Sequence, residues 1–334
     1  MRRRQVLALA AVGIGGCLSD SDPDGSGNGT TDEPTDAPTT TPSTDDTETA
    51  TTTEKPDPPD LRAYPGDCPT YDATTVVCSD AAPDDVPLRM TPSASSAELP
   101  GDLSFTLSND TDAEFQTNHY AARLHKRVDG EWFHVAPRAW PQPLTPISAG
   151  GSYTWTVEFA GGEGERPDAG ETDRTVGGLG GGRYAFGNDG WFAGGSHESK
   201  TAAVAIFDLQ GPPAELTTTD RLSKVSVEGG TVTGRWNVSH LEAGDRVATF
   251  TLERTDESAE GRLITEQVRQ EGLHPRPLRD ALALAVEHDA ATVRLTGETG
   301  SSPPFGVGEP RVFEYEGSNY RISAEVTEGT PESG

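Results

Sequence analysis

The segment YAARLHKRVDGEWFHVAP, residues 120–137, decides the fold class of this chain. Apolar and polar residues alternate on both sides of Asp129-Gly130, a dipeptide typical of the tight turn between two antiparallel strands. Trp132, Phe133 and Val135 supply the aromatic and β-branched residues that strands favour. The segment therefore predicts a β-hairpin.

The surrounding sequence continues the same pattern. Leu103, Phe105 and Leu107 alternate with polar residues before Asn109, and further strand-like runs cover 153–159, 183–187 and 201–209. Glycine, proline and aspartate separate these runs, and no stretch of this half has a convincing helical period. About seven strands in such a length predict an all-β sandwich.

Four segments carry a resemblance to a known family: LSFTLSND, YAARLHKRVDGEWFHVAP, PISAGGSYTWTVEF and GGRYAF. Together they resemble a bacterial immunoglobulin-like domain of surface lipoproteins, over about Pro87 to Gln210. The resemblance implies a β-sandwich and brings no catalytic residues. We assign residues 61–211 to this domain.

Cys68 and Cys78 precede that pattern and are the two cysteines beyond the first 17 residues. In an exported protein, two cysteines so close in sequence predict a disulfide that clasps a short loop. A two-thiolate metal site or a redox pair is the alternative, but neither further ligands nor a CxxC spacing lies nearby.

The pattern changes after Gly211-Pro212-Pro213. Strand-like runs at 224–227, 231–236 and 246–253 precede two helical stripes, at 263–268 and 278–286, and two closing strands, at 311–315 and 319–325. Residues 212–334 are therefore expected to form a small α+β domain. This part resembles modules of haloarchaeal membrane-associated proteins that end in a similar hairpin and have no activity known to us.

The N-terminus reads MRRRQVLALAAVGIGGC. Arg3-Arg4-Gln5-Val6-Leu7 resembles a twin-arginine export signal, and Ile14-Gly15-Gly16-Cys17 resembles a lipobox. The apolar run of about 11 residues is too short to span a bilayer. Residues 1–17 are thus predicted to be a signal peptide, with lipid carried on Cys17 anchoring the protein to the membrane.

Residues 18–60 are rich in Thr, Pro, Asp and Ser. This composition cannot bury enough apolar surface to offset the entropy of folding, so a disordered tether is expected. Signal, tether and acidity together resemble a haloarchaeal lipoprotein. We expect the protein on the outer face of the cytoplasmic membrane, with its domains outside the cell.

The formal net charge is −28. A basic patch is required to bind nucleic acid phosphates, so nucleic acid is excluded as a partner. An acidic, hydrated surface also suits a halophilic setting, where salt screens the self-repulsion.

Catalytic motifs are missing from the sequence. The seven histidines are dispersed with no HExxH spacing, Gly195-Ser196-His197 lacks the second glycine of a nucleophile elbow, and the GGLGGG run at 177–182 lacks GxGxxG spacing. His125 and His134 lie at positions that can face each other across the hairpin, where we expect them to be solvated. No enzyme activity, no metal and no cofactor are predicted.

The predicted loops and turns contain candidate residues for contact or modification. Trp140, Trp191 and Phe192 stand among prolines or glycines, where aromatic side chains could bind a partner, and covering an edge of the core is the alternative. Asn109 and Asn237 are acceptors in N-x-S/T sequons of an exported chain.

Two functions remain open from the sequence. The first is a non-enzymatic binding or structural module of the envelope, whose partner is an envelope protein or a polysaccharide. The second is a solute-capture lipoprotein or an enzyme with a site at the junction of the two domains.

Overall fold

The computed structural model describes residues 57–162, 174–238, 246–270 and 277–327, and these are mostly β. The predicted signal peptide, with Cys17, and residues 18–56 of the predicted tether lie outside the described residues. Among the described residues, none of the helices combines the length and the hydrophobicity that crossing a membrane requires.

Eleven strands form the first part of the described chain. They are β1 Thr75–Cys78, β2 Leu88–Pro92, β3 Ser96–Glu98, β4 Gly101–Asn109, β5 Phe115–Thr117, β6 Arg123–Val128, β7 Glu131–Ala136, β8 Gly151–Phe159, β9 Arg174–Val176, β10 Gly182–Phe192 and β11 Thr201–Gln210.

These strands make two sheets, which we call the sheet pair. One sheet has the order β1-β11-β10-β6-β7, with β3 beside β11 and β5 beside β10, and the other has the order β2-β4-β8-β9. Most neighbours are antiparallel, but β1 and β3 pair with β11, and β8 with β9, in parallel. The parallel pairs come from chain crossovers that the strand pattern of the sequence does not reveal.

Alternation along β4 explains how the two sheets pack. Leu103, Phe105 and Leu107 are buried while the residues between them are not. Phe105 stacks on Phe186 of the facing sheet with ring centroids 4.4 Å apart. Successive side chains of a strand point to opposite faces, so this alternation places one face of each sheet in a shared core.

The hairpin predicted at 120–137 is present as β6 and β7. Asp129 and Gly130 both have positive φ, 50° and 84°, as a two-residue turn between antiparallel strands requires. Val128 pairs with Glu131 across the turn, and His125 pairs with His134 farther along. The predicted turn and register are confirmed.

The second part of the described chain is a sheet of seven strands, which we call the C-terminal sheet. Its strands are β12 Leu222–Glu228, β13 Thr231–Trp236, β14 Arg246–Arg254, β15 Gly261–Arg262, β16 Thr292–Thr299, β17 Arg311–Tyr315 and β18 Ser318–Thr327. Their order in the sheet is β12-β13-β16-β14-β18-β17-β15.

Two helices accompany this sheet, α1 Thr265–Arg269 and α2 Leu278–Glu287. Leu278, Ala281, Leu282 and Ala285 of α2 are buried against β14 and β16, as their helical spacing predicts. Val286, which also belongs to the predicted stripe, is 46% exposed instead.

The sequence pattern does not predict the interior strand β16. Val293 and Leu295 are its two large apolar residues, and the strand begins soon after α2 ends. It pairs in parallel with β13 and antiparallel with β14. A strand inserted between two others is specified by partners far away in sequence, so its local pattern is weak.

Candidate functional site

The loop of residues 68–78, which the disulfide closes and which we call the clasp, lies on the outer face of the sheet pair. Cys68 and Cys78 are bonded, with their Cα atoms 5.8 Å apart, which confirms the predicted pairing. Tyr71 lies inside the loop that the bond closes, at a φ of 56°, and only 4% of it is exposed. The clasp therefore holds a tyrosine side chain against the sheet.

Tyr71 covers the middle of that face. Its hydroxyl donates to the carbonyl oxygen of Arg123 at 2.9 Å, and its ring meets the ring of His125 edge-on, with centroids 4.8 Å apart. A Cβ atom at Gly187 would lie 2.9 Å from the Tyr71 hydroxyl, so only glycine leaves room for it. Burial raises the pKa of the Tyr71 phenol well above its usual value, which keeps the hydroxyl a hydrogen-bond donor.

His125, which is buried against Tyr71, pairs with the half-buried His134. Their ring centroids are 5.2 Å apart, and neither Nδ1 of His125 nor Nε2 of His134 has a hydrogen-bond partner in the described structure. The expectation that these residues are solvated is therefore wrong: the hairpin register was right, but the clasp covers this face. Tyr71 lies 54 residues before His125, so the sequence of the hairpin itself does not reveal that it is covered.

The surroundings of the pair keep both imidazoles neutral. The pKa of His134 is lowered to about 4, and burial is the largest cause. The positive charges of Arg123 and Arg138 lower it further. Burial lowers the pKa of His125 well below its usual value, and His134 and Arg123 lower it further. Two arginines beside neutral imidazoles disfavour a bound cation, because they add positive charge.

Arg123 is itself held in an ionic network. Its guanidinium pairs with Asp189 of β10, and Lys200 binds the other carboxylate oxygen of Asp189 at 2.9 Å. Arg123 also lies over the ring of Tyr71, 4.6 Å from its centroid. Asp189 thus balances one of the two positive charges, and Arg123 links the clasp to the sheet.

Metal-binding chemistry is not assembled in the described residues. The one group of three candidate ligands found among them is Cys68, Cys78 and Asp80. Both of its sulfur atoms are consumed by the disulfide, and a metal ligand must be a thiolate. The closeness of these three residues therefore reflects a structural disulfide and not a metal site.

The three aromatic contact candidates fall in different environments. Phe192 is the last residue of β10, is 5% exposed and packs on Phe115 with centroids 5.1 Å apart, so its side chain belongs to the core. Trp191 lies in the same strand rather than in a loop and is half-buried on the outer face. Trp140 is half-buried in the segment between β7 and β8. Trp140 and Trp191 thus keep part of an aromatic face accessible.

The two sequons also differ. Asn109 is fully buried, and its Nδ2 donates to the carbonyl oxygens of Ala113, Ile147 and Ser148. Glycosylation would modify that same nitrogen, so the folded chain offers no access to it. Asn237 is exposed, with its Nδ2 bonded to Arg221 and Ser223.

The glycine run 177–182 packs against the segment that leaves the sheet pair. A Cβ atom at Gly180 would lie 2.0 Å from the backbone nitrogen of Ala214, and one at Gly181 would lie 2.3 Å from the carbonyl oxygen of Gly211. The glycines are required for close approach between two backbone segments, which is a structural use.

Residues 261–270 join the sheet pair to the C-terminal sheet. Ile264 is 5% exposed and belongs to the core of the sheet pair. Glu266 forms a buried ion pair with Lys126 of β6, and the side-chain amide of Gln267 donates to the carbonyl oxygen of His134 at 3.0 Å. Among the described residues, an apolar side chain, a buried ion pair and an amide hydrogen bond therefore connect the two parts here.

The face of the C-terminal sheet opposite α2 is polar. Thr249 lies 3.1 Å from Thr296 and 3.2 Å from Thr327, measured between hydroxyl oxygens. Arg294 is exposed on the same face, in register with Thr251. Short hydroxyl side chains in neighbouring strands give this face many hydrogen-bonding groups and no aromatic ring.

Comparisons of the chain with protein-family models, with curated proteins and with solved structures found no significant match.

Proposed function

We propose that this chain is a lipid-anchored envelope protein that acts without catalysis, by presenting a rigid body at the outer face of the cytoplasmic membrane. In this proposal the twin-arginine signal exports it and Cys17 carries the lipid. The sheet pair is an immunoglobulin-like sandwich, and the C-terminal sheet with its helices is an α+β domain.

The observation that carries the proposal is the set of buried contacts at the junction. Ile264 inserts into the core of the sheet pair, and the Lys126–Glu266 ion pair is buried beside it. A protein that captures a solute between domains needs an opening there and a hinge to close it. A junction closed by packing and a buried ion pair favours a single body that moves as a whole.

The use of the polar residues supports the same proposal. Arg123 and Lys200 share the carboxylate of Asp189, and the imidazole of His125 is buried against the ring of Tyr71. General acid–base catalysis needs such groups within reach of a substrate. Here they stabilise the clasp.

The partner in this proposal is an envelope protein or a polysaccharide. The accessible parts of Trp140 and Trp191 offer aromatic faces that stack on sugar rings or anchor a protein. The threonine-rich face of the C-terminal sheet offers hydroxyl groups. The strongly acidic surface keeps the body hydrated and away from anionic lipid headgroups.

The experiment compares the native chain with Cys17→Ser in cells. We expect the native chain to partition into detergent and Cys17→Ser to partition into the aqueous phase. Purified Cys17→Ser protein should then sediment with isolated cell envelopes, and Trp140→Ala or Trp191→Ala should weaken that binding about tenfold or more.

Leu144→Ala is the matched control, because Leu144 is exposed in the same segment as Trp140. Partitioning of Cys17→Ser into detergent would contradict the lipid anchor. Hydrolysis or capture of a small solute by the purified protein would contradict the non-catalytic function.

A further inference from the structure

The face of the C-terminal sheet that lies opposite α2 is polar, and we call it the threonine face. Thr233 and Arg235 of β13 and Arg294 of β16 are exposed there, and each alternates with buried residues of the core. On β14 the face carries Thr249 and Thr251, which are half-buried. The side chains of this face therefore belong to several strands and are available to a ligand.

The register of the sheet aligns these side chains in two rows that cross the strands. In the first row, Arg294 of β16 pairs with Thr233 of β13 on one side and with Thr251 of β14 on the other. The row continues to Ser226 of β12 and to Ser323 of β18. Arg294 is therefore the one charged residue in a row of five, and the other four carry hydroxyl groups.

The second row lies two residues farther along the strands. Arg235 of β13 pairs with Thr296 of β16. Thr296 pairs in turn with Thr249 of β14, and the hydroxyl oxygens of these two threonines are 3.1 Å apart. Ser223 of β12 and Glu325 of β18 end the row. Two arginines thus lie on neighbouring strands, in adjacent rows, among short hydroxyl side chains.

These two arginines differ from others in the same sheet. Neither Arg235 nor Arg294 forms an ion pair with any residue that the structure describes. Three arginines of the same sheet each bind a carboxylate, namely Arg254, Arg262 and Arg321. The chain has 54 acidic residues for 26 basic ones, so carboxylates are abundant. Two guanidinium groups without a carboxylate beside them are available to an external anion.

The acidic residues of the threonine face lie around the two rows. Glu228 and Glu253 lie in the next row beyond the first. Glu298 lies beyond the second row, opposite Val247, and Glu325 is at the end of that row. The centre of the face is therefore positive and its margin is negative, so an anionic group is attracted to the centre.

The donors at the centre match a particular chemistry. An arginine presents a planar fork of N–H groups that fits carboxylate and sulfate oxygens. The hydroxyl groups of threonine and serine both donate and accept hydrogen bonds, as the hydroxyl groups of a sugar do. The combination suits a ligand that carries anionic groups and hydroxyl groups together.

The extent of the face favours a polymer. Five strands span roughly 19 Å from the first to the last, at about 4.8 Å between neighbours. A small solute is usually enclosed in a concave pocket, whereas these side chains are spread over a sheet. A protein partner or a single-stranded nucleic acid is anchored by aromatic rings, and the two rows contain no aromatic residue. An extended polysaccharide fits these features best.

We propose that the threonine face binds an acidic polysaccharide of the envelope, whose carboxylate or sulfate groups pair with Arg235 and Arg294. This inference rests on the proposed envelope function and names the chemical class of its partner. The net charge of −28 repels a polyanion at long range. Salt reduces the range of that repulsion to roughly 3 Å at about 1 M, and contacts at hydrogen-bond distance persist.

The test titrates the purified full-length Cys17→Ser chain with two polyanions by calorimetry, at about 1 M salt. Polygalacturonate supplies carboxylate groups and dextran sulfate supplies sulfate groups. Dextran is the neutral control, because it has the hydroxyl groups and lacks the charge. We expect at least one polyanion to bind and dextran not to bind, and the tighter polyanion identifies the anionic group. Dextran that binds as tightly as the polyanions would overturn the proposal.

Variants locate the site on the threonine face. Arg235→Gln and Arg294→Gln should each weaken binding about tenfold, because each removes a charge-assisted hydrogen bond. Thr251→Val removes one hydroxyl group, keeps the branched shape and should weaken binding about threefold. Arg321→Gln is the matched control: Arg321 lies on the same face but binds Glu257, so its loss should leave the affinity unchanged. Urea denaturation verifies that each variant is folded.

Two results would overturn this inference and leave the proposed function standing. One is a Cys17→Ser chain that sediments with isolated envelopes but binds neither polyanion. The other is polyanion binding that Arg235→Gln and Arg294→Gln both leave unchanged. A chain that binds neither envelopes nor polyanions would contradict the inference and the proposed function together.

Discussion

Lys126 of β6 and Glu266 of α1 form a buried ion pair across 140 residues of sequence. Their side chains are 10% and 4% exposed, so neither charge is solvated. The pair lies where the C-terminal part of the chain contacts the sheet pair, next to Ile264. Two buried charges that need each other fix how the two parts meet.

Glu266→Gln should destabilise the chain by about 3 kcal/mol, because it leaves the Lys126 ammonium buried without its counter-charge. The double variant Lys126→Met with Glu266→Leu should recover most of that loss, since no buried charge remains. Equilibrium urea denaturation measures both. Asp129→Asn is the control: Asp129 pairs with Arg262 but is 73% exposed, so its change should stay under about 1 kcal/mol.

Asn109→Ala should cost about 2 to 4 kcal/mol in the free energy of unfolding. Three carbonyl oxygens, of Ala113, Ile147 and Ser148, lose the same buried donor. Asn237→Ala, on an exposed sequon, should change stability by only about 0.5 kcal/mol. Thermal and urea unfolding measure the loss of stability in both variants. Equal losses would contradict the structural account of Asn109.

Peptide mass spectrometry of the native protein tests the accessibility of Asn109 separately. The peptide that contains Asn109 should carry no glycan, because its Nδ2 is buried and bonded. The enzyme that modifies sequons could reach Asn237. A glycan on Asn109 would mean that modification precedes folding.

Stability should fall as the pH is lowered from about 6.5 to about 4. The pKa of His134 is lowered to about 4 in the folded chain by burial, whereas the unfolded chain binds its proton near pH 6.5. The unfolded state therefore holds more protons in this window and is favoured as the pH drops, by up to about 3 kcal/mol for His134. His125 and His119, whose pKa values are also lowered chiefly by burial, act in the same direction.

Urea denaturation across this pH range measures how steeply the free energy of unfolding changes with pH. His134→Gln and His125→Gln should each flatten it, whatever they do to stability at neutral pH. His288→Gln is the control, because His288 is exposed at the end of α2. A slope that the two buried positions do not change would contradict the account of the histidine pair.

Removing the disulfide should destabilise the chain by about 3 kcal/mol, as expected for a closed loop of this length. The joint variant Cys68→Ser with Cys78→Ser should also loosen Tyr71, which the loop carries. Hydrogen exchange should then rise at the β6 amides beneath the clasp and stay unchanged in β14, which belongs to the other sheet. A uniform rise would indicate global unfolding instead.

The sequence determined much of the local structure. The Asp129-Gly130 turn, the inward alternation of β4, the strands β13 and β17 and the apolar stripe of α2 follow from short-range patterns. Each of these depends on turn chemistry or on a period of two or 3.6 residues. These elements were placed to within a few residues.

What escaped prediction depends on distant residues. The strand β16 is specified by β13 and β14 on either side, and the burial of His125 and His134 by a clasp far upstream. Phe192 looked like a loop residue between glycines, but β10 extends through it because β5 pairs there. The sequence predicts a glycan on Asn109, whereas the structure shows its side-chain amide donating to the carbonyl oxygen of Ala113.

Intact and peptide mass spectrometry of the protein extracted from its native membrane tests the central claim most directly. The account predicts a mature chain that begins at Cys17, with a lipid on that residue, and that partitions into detergent. A chain that retains residues upstream of Cys17, carries no lipid and partitions into the aqueous phase would contradict it.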